Sequence, residues 1–133
     1  MKYFGSSGIR DEFPKVISPA LAMRVGRALA SHLPERRIVQ GRDGRTTSRI
    51  LSMSMASALM ESGIDVWDCG HVPTPTLAFN ARRFDAGVML TASHNPPQYN
   101  GVKLWNPDGS SFGTRQMLRI EALMDKGSRV RGI

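Results

Sequence analysis

The sequence predicts an α/β domain, a three-layer α/β/α arrangement with a mixed, mostly parallel sheet. Three observations lead there. Short β-type runs alternate with longer stretches of helical periodicity along the chain, the pattern of strand-loop-helix units. The most hydrophobic run, Ala86 to Ala92, shows no polar alternation, as expected of a strand covered on both faces. At 133 residues the chain suits one modest core and shows no interior boundary between two domains.

The elements follow in order. Phe4 to Arg10 is Gly-Ser-rich and reads as an opening loop. Ser18-Pro19 joins a helix cap to proline at the first helical position, so a helix starts there. Leu21, Val25, Leu29 and Leu33 then recur every fourth residue and give it one apolar face ending near Pro34, with Arg24 and Arg27 toward solvent. Ile38 to Gly41 is a strand. Arg42-Asp43-Gly44-Arg45-Thr46 carries turn and cap residues before a second helix over Thr47 to Glu61, whose apolar face is Leu51, Met55, Ala58 and Leu59 and which stops before Gly63. Ile64 to Cys69 is a strand, and Pro73-Thr74-Pro75 opens a short helix through Leu77, Ala78 and Ala81. After the strand from Ala86 comes a polar loop, then a strand over Val102 to Trp105. The connection between these two is too short for a helical crossover, so the last strand runs antiparallel to its predecessor. Asn106 to Gly109 is a turn, Thr114 caps a last helix using Met117, Ile120 and Met124, and 127–133 reads as a tail or linker, leaving 1–126 as the domain.

Composition narrows the function. Hydrophobic residues at 41% and charged residues at 22% exclude disorder and fibrous architectures. No apolar run approaches the roughly 20 residues needed to span a bilayer, and Met1 to Gly5 lacks a secretory leader's apolar core, so the expected compartment is the cytoplasm, with no membrane partner. The single cysteine, Cys69, offers no disulfide or zinc pair. A net charge of +7 favours anionic partners, nucleic acid and phosphorylated metabolites alike. Basic residues are scattered, with short clusters such as Glu35-Arg36-Arg37 and Arg82-Arg83 and few aromatics beside them, which argues against nucleic acid.

The stretch Thr91-Ala92-Ser93-His94-Asn95-Pro96-Pro97, followed by Tyr99-Asn100-Gly101-Val102-Lys103, concentrates the chemistry. A polar loop at the carboxyl end of a buried strand belongs in a ligand crevice, and it offers a hydroxyl, an imidazole, an amide and an ammonium within a short span. Read by composition alone, the same residues make an ordinary solvent-exposed turn. A hydrolytic Ser93-His94 dyad is disfavoured, because neighbours on an extended chain point to opposite sides and no Gly-x-Ser-x-Gly elbow is present.

Thr91 to Pro96, with Asn100-Gly101 and Lys103, resembles the active-serine loop of the α-D-phosphohexomutases, the phosphomannomutase, phosphoglucomutase and phosphoglucosamine mutase superfamily. Phe4-Gly5-Ser6-Ser7-Gly8-Ile9-Arg10 resembles the family's N-terminal loop, Gly41-Arg42-Asp43-Gly44-Arg45 its second-strand motif, and Gly70-His71-Val72-Pro73-Thr74-Pro75 its Thr-Pro turn. The resemblance implies the family's domain I, with Ser93 carrying a phosphoryl group that it gives to a phosphorylated hexose and recovers from the other end of the bisphosphate. It places Arg10 and Lys103 beside that phosphate, His94 and Asn95 around it, and Arg42, Asp43 and Arg45 as braces. Each also has an ordinary reading: solvated cations, a loop histidine, a turn amide before proline.

The same resemblance implies Mg2+ held through the Ser93 phosphate, with its other ligands on an Asp-Gly-Asp-Gly-Asp type loop that this sequence lacks; Asp43 and Asp108 stand as isolated carboxylates. Sugar-recognition and phosphate-gripping loops of further domains are likewise missing, so the remaining domains of a parent enzyme are expected partners and no turnover is expected from these residues alone. Pro96-Pro97-Gln98-Tyr99-Asn100 looks more like the phosphomannomutase and phosphoglucomutase types and their archaeal glucosamine-type relatives than bacterial glucosamine mutases. Mannose, glucose and glucosamine phosphates all stay open. The alternative from another class is a noncatalytic anion- or RNA-binding module, with affinity that falls steeply with salt.

Overall fold

The computed structural model describes residues 1–34 and 36–126. The linker expected over 127–133 and Glu35 of the basic cluster lie outside the described residues. The chain order is β1 (Ile9–Glu12), α1 (Pro19–His32), β2 (Arg37–Arg42), α2 (Thr46–Glu61), β3 (Asp65–His71), α3 (Thr74–Asn80) with a 3-10 turn over Ala81–Arg83, β4 (Ala86–Leu90), β5 (Tyr99–Trp105) and α4 (Thr114–Lys126). The sheet order is β1-β5-β4-β2-β3. β2 pairs in parallel with β3 and β4, while β5 is antiparallel to both β4 and β1. Of the described strands, four therefore run one way and β5 runs back, as the short connection over 91–98 requires; β5 begins at Tyr99, three residues before the expected Val102, because Tyr99 to Gly101 pair with β1.

The alternation of side chains across the sheet builds two cores. Ile38, Val88, Leu90, Val102 and Leu104 face α1, α2 and α4, meeting Val25, Leu29, Leu51, Met55, Leu59 and Ile120. Val39 and Met89, on the other side, meet Leu77 and Ala81 of α3 and its 3-10 extension. Three layers result, and all five residues of β4 are buried between them. The caps are as the residues dictate at α1, where the Ser18 hydroxyl accepts the Leu21 N–H at 3.1 Å.

Three expectations are corrected. The opening segment is not all loop, because Ile9–Glu12 forms edge strand β1; with one apolar residue and three charged ones, it carries no periodic signal, and its charges suit an exposed edge. β3 runs two residues past Cys69, since a shift in register between Gln40 and Arg42 lets His71 still pair with Arg42. Thr114 lies in the first turn of α4 rather than capping it. The Gln116 side chain instead accepts the Gly113 N–H at 2.9 Å and exchanges amide hydrogen bonds with Asn106, joining the 106–109 turn to the helix.

One buried carboxylate ties the chain's start to its last helix. Glu121, on the inward face of α4, accepts the backbone N–H groups of Lys2, Tyr3 and Phe4 at 2.5, 2.8 and 3.4 Å. Those bonds satisfy a charge that burial would otherwise penalise.

Candidate functional site

The candidate loop leaves the carboxyl end of β4 and returns into β5. Its first polar residue, Thr91, donates its hydroxyl to Asp43 Oδ2 at 2.7 Å and accepts the Ser93 N–H at 2.9 Å. The Asn95 N–H donates to the Ala92 carbonyl at 3.1 Å, closing a turn. Ser93 inside that turn has φ of 55°, the left-handed region that non-glycine residues seldom occupy. Ser93 is therefore not on an extended chain, and the tight turn, not the alternation of a strand, sets the directions of Ser93 and His94.

Arg45 holds the loop from within. Its Nη1 donates to the Pro96 and Tyr99 carbonyls at 2.8 and 3.1 Å, and its Nη2 to those of Ser93 and Asn95 at 2.9 and 2.7 Å. Nε donates to Asp43 Oδ2 at 3.2 Å, so all five guanidinium N–H groups are used. Asp43 in turn accepts the Arg45 N–H at 3.0 Å and the Ser48 hydroxyl at 2.6 Å through Oδ1. Burial pushes the Asp43 carboxyl up, but the hydrogen bonds from Ser48, Thr91 and the Arg45 N–H, with the Arg45 charge, outweigh it and hold the group below the usual carboxylate range. Asn100, fully buried, extends the support, donating to the Thr47 and Ser48 hydroxyls at 2.8 and 2.9 Å.

Ser93 and Asn95 line, with Arg45 and Pro97, an open crevice of about 380 Å³. Arg10 and Lys103 come together on neighbouring strands: Arg10 stands opposite Gly101, and Lys103 lies two residues further along β5 on the same face. Burial pushes the Lys103 ammonium below its usual value, and the Arg10 charge adds to the effect. Lys103 Nζ also lies 4.8 Å from the centre of the Trp105 ring. Position 101, beneath the Arg10 side chain, is glycine; a Cβ there would collide with the Ile9 carbonyl and lie 3.0 Å from Arg10 Cγ. Neither cation, nor His94, lines the crevice beside Ser93. His94 is exposed.

Of the three residues expected to brace the loop, Asp43 and Arg45 do so and Arg42 does not. Its side chain opens into a second crevice on the β3 side, with Arg49 and His71. The alternation along β2 and its exit turn sends the two arginines apart, which the motif spelling cannot show. Ser48 and Asn100 are the supports that sequence reasoning missed as such. The only signal was a pair of small polar residues, Ser48 and Ser52, on the largely apolar inner face of a helix and an amide at the head of a strand.

The described residues do not form a Mg2+ site by themselves. Among the described residues no three His, Cys, Asp or Glu side chains converge on one point. Asp43, the carboxylate at the base of the loop, has both oxygens engaged by the protein itself.

The comparisons with known proteins agree with this architecture. A family model for the phosphoglucomutase/phosphomannomutase alpha/beta/alpha domain I matches residues 1–131. A probable phosphoglucosamine mutase of Methanocella arvoryzae is 46% identical over 133 residues, which are 100% of this chain and 30% of the relative. One of Thermococcus kodakarensis is 42% identical over 129 residues, 96% of this chain and 29% of the relative. The crystal structure of a putative phosphomannomutase from Thermus thermophilus superposes with a TM-score of 0.87 at 34% identity, covering 96% of this chain and 31% of that one. The chain thus spans a little under a third of the length of these relatives. Matched over nearly its whole length, it belongs to the phosphoglucomutase/phosphomannomutase family as that family's alpha/beta/alpha domain I.

Proposed function

We propose that this chain is the phosphoserine-bearing domain of a phosphohexomutase, an intramolecular phosphotransferase that interconverts hexose 1-phosphate and hexose 6-phosphate through a bisphosphate. The observation that carries the reading is the Arg45 clamp: four donors of one guanidinium are spent on loop carbonyls and the fifth on Asp43, while Ser93 is left exposed at a crevice. Holding a side chain in a left-handed turn costs about 1–3 kcal/mol, a cost usually found where position matters to chemistry.

In this reading the phosphoryl group on Ser93 Oγ passes to a hydroxyl of a hexose monophosphate. The Oγ–P bond breaks as the sugar O–P bond forms, and the sugar's hydroxyl proton ends on Ser93 Oγ. The reverse transfer from the other phosphate of the bisphosphate restores phosphoserine. Arg10 and Lys103 supply positive charge for the phosphoryl oxygens, while Asn95 and His94 supply donors at the rim of the loop. Any Mg2+ bound to the Ser93 phosphate needs oxygen ligands that these residues do not supply. Residues 1–126 form the domain, 127–133 lead onward, and turnover requires the rest of a longer enzyme. The names of the relatives make glucosamine phosphate the first substrate to assay.

Phosphosite mapping of the protein as isolated from cells tests the reading, paired with turnover of a full-length parent. The expected result is one phosphate, on Ser93, and loss of turnover in Ser93→Ala by at least about 10³-fold. Near-normal turnover of that variant, or phosphate confined to another residue, would overturn it.

A further inference from the structure

The sheet has a second crevice at the carboxyl ends of its strands, and it lies at a topological switch point. β2 leads into α2 on one face of the sheet, whereas β3 leads into α3 on the other. The two exit turns therefore diverge and leave a cleft between the ends of β2 and β3, the place where open α/β sheets hold ligands. That cleft, about 270 Å³, is lined by Arg42, Thr46, Arg49 and His71, with Asp43, Gly44 and Arg45 along its border with the Ser93 crevice.

The charge in it is unbalanced. Arg45 is neutralised by Asp43 and bound to the loop, and both Asp43 oxygens are occupied. Arg42 and Arg49 form no ion pair or side-chain hydrogen bond among the described residues. The turn also makes room for the imidazole: a Cβ at position 44 would lie 3.0 Å from His71 Cε1, so glycine there lets the ring lie against the backbone. Pairing of His71 with Arg42, and the Val72 N–H bond to the Arg42 carbonyl at 3.1 Å, fix the two sides of the cleft to each other. Two unpartnered guanidinium groups converging with an imidazole in a cleft suit a compact, multiply charged oxyanion.

We infer that the β2/β3 cleft is a phosphate-binding site, separate from the Ser93 loop, in which Arg42, Arg49 and His71 hold the phosphate group of a free or sugar-esterified phosphate. The site stands on its own residues and does not depend on phosphoryl transfer at Ser93.

Amide shifts of the 133-residue chain, followed while inorganic phosphate and then a hexose 6-phosphate are added at constant ionic strength, test it. Saturable shifts at Gly44, Thr46 and His71 are expected. Arg42→Gln and Arg49→Gln should each weaken binding about tenfold, whereas Arg83→Gln, on the exposed 3-10 turn, should leave it unchanged. Equal affinity for the two probes assigns the site to the phosphate group alone, and tighter binding of the ester, lost in the same variants, assigns it to a sugar phosphate. Shifts confined to Arg10, Ser93 and Lys103, or spread over surface cations and insensitive to the Arg49→Gln change, would overturn it. Arg49 is exposed on α2 and its replacement leaves the core untouched, so loss of the fold cannot be mistaken for loss of binding.

Discussion

Replacing Arg45 by alanine tests whether one side chain determines the shape of the Ser93 loop. Four carbonyls lose their donor. Those of Ser93 and Pro96 are reached at the exposed edge, where water takes over most of the bond. Those of Asn95 and Tyr99 are partly buried, and a hydrogen bond to a charged group is worth about 1.5 kcal/mol net at the lower end of its range. Asp43 keeps its bonds from Ser48, Thr91 and the residue 45 N–H, so it adds little. The expected loss is about 3 kcal/mol, equivalent to roughly 10 °C in the unfolding midpoint of a chain this long. Arg45→Lys keeps the charge but has a single ammonium that cannot span four carbonyls, and should recover less than half of the loss. Urea unfolding gives the stability, and amide hydrogen exchange at Asn95, Gln98 and Tyr99 shows whether the loop loosens. A loss under about 1 kcal/mol with unchanged exchange would refute the clamp.

Asp43→Asn has a pH signature. Because the folded carboxyl lies below its unfolded value, its stabilisation is present above about pH 4 and lost as pH falls through the folded value. The stability gap between the native chain and Asp43→Asn, measured by urea unfolding, should therefore narrow steadily in acid. Arg10→Gln should raise the Lys103 titration midpoint, read by NMR at its side-chain carbon, but not to the ordinary value, since burial is the larger cause and remains. Gly101→Ala should cost about 3 kcal/mol in urea unfolding, because the new methyl meets the Ile9 carbonyl and lies 2.8 Å from the Thr91 carbonyl oxygen in a paired strand that cannot move aside.

What the sequence makes legible is whatever repeats. The i, i+4 stripe of α1 and the unbroken apolar run of β4 announce themselves because burial selects side chains at the period of the backbone. Edge strand β1 does not, since only Ile9 faces a core and its neighbours are charged. Glu121 is hidden for a related reason: it stands on the buried face of α4, and only the folded chain brings the N–H groups of Lys2 to Phe4 against it. At the site, the motif names Arg42 and Arg45 together, yet one serves the loop and the other the neighbouring cleft. The turn at Ser93 is legible only after folding, since its left-handed backbone is imposed by Thr91 and by Arg45, 48 residues away in sequence.

The division of the β2–α2 turn between two crevices can be measured as a coupling energy. Arg45 and Asp43 share two hydrogen bonds, one from the Arg45 backbone N–H to Asp43 Oδ1 and one from the guanidinium Nε to Asp43 Oδ2, which also accepts the Thr91 hydroxyl. Either change alone already disrupts that junction, so the double variant Asp43→Asn/Arg45→Ala should lose less stability than the two single losses added together, by about 1 kcal/mol. Arg42 ends β2 just before that turn but shares no hydrogen bond with either residue, so Arg42→Gln should add to Arg45→Ala within about 0.5 kcal/mol. Proximity in sequence predicts coupling in both pairs. The hydrogen-bond network predicts it in one, and urea unfolding of the two double-mutant cycles decides between them: strong coupling between Arg42 and Arg45 would mean that the two crevices are one.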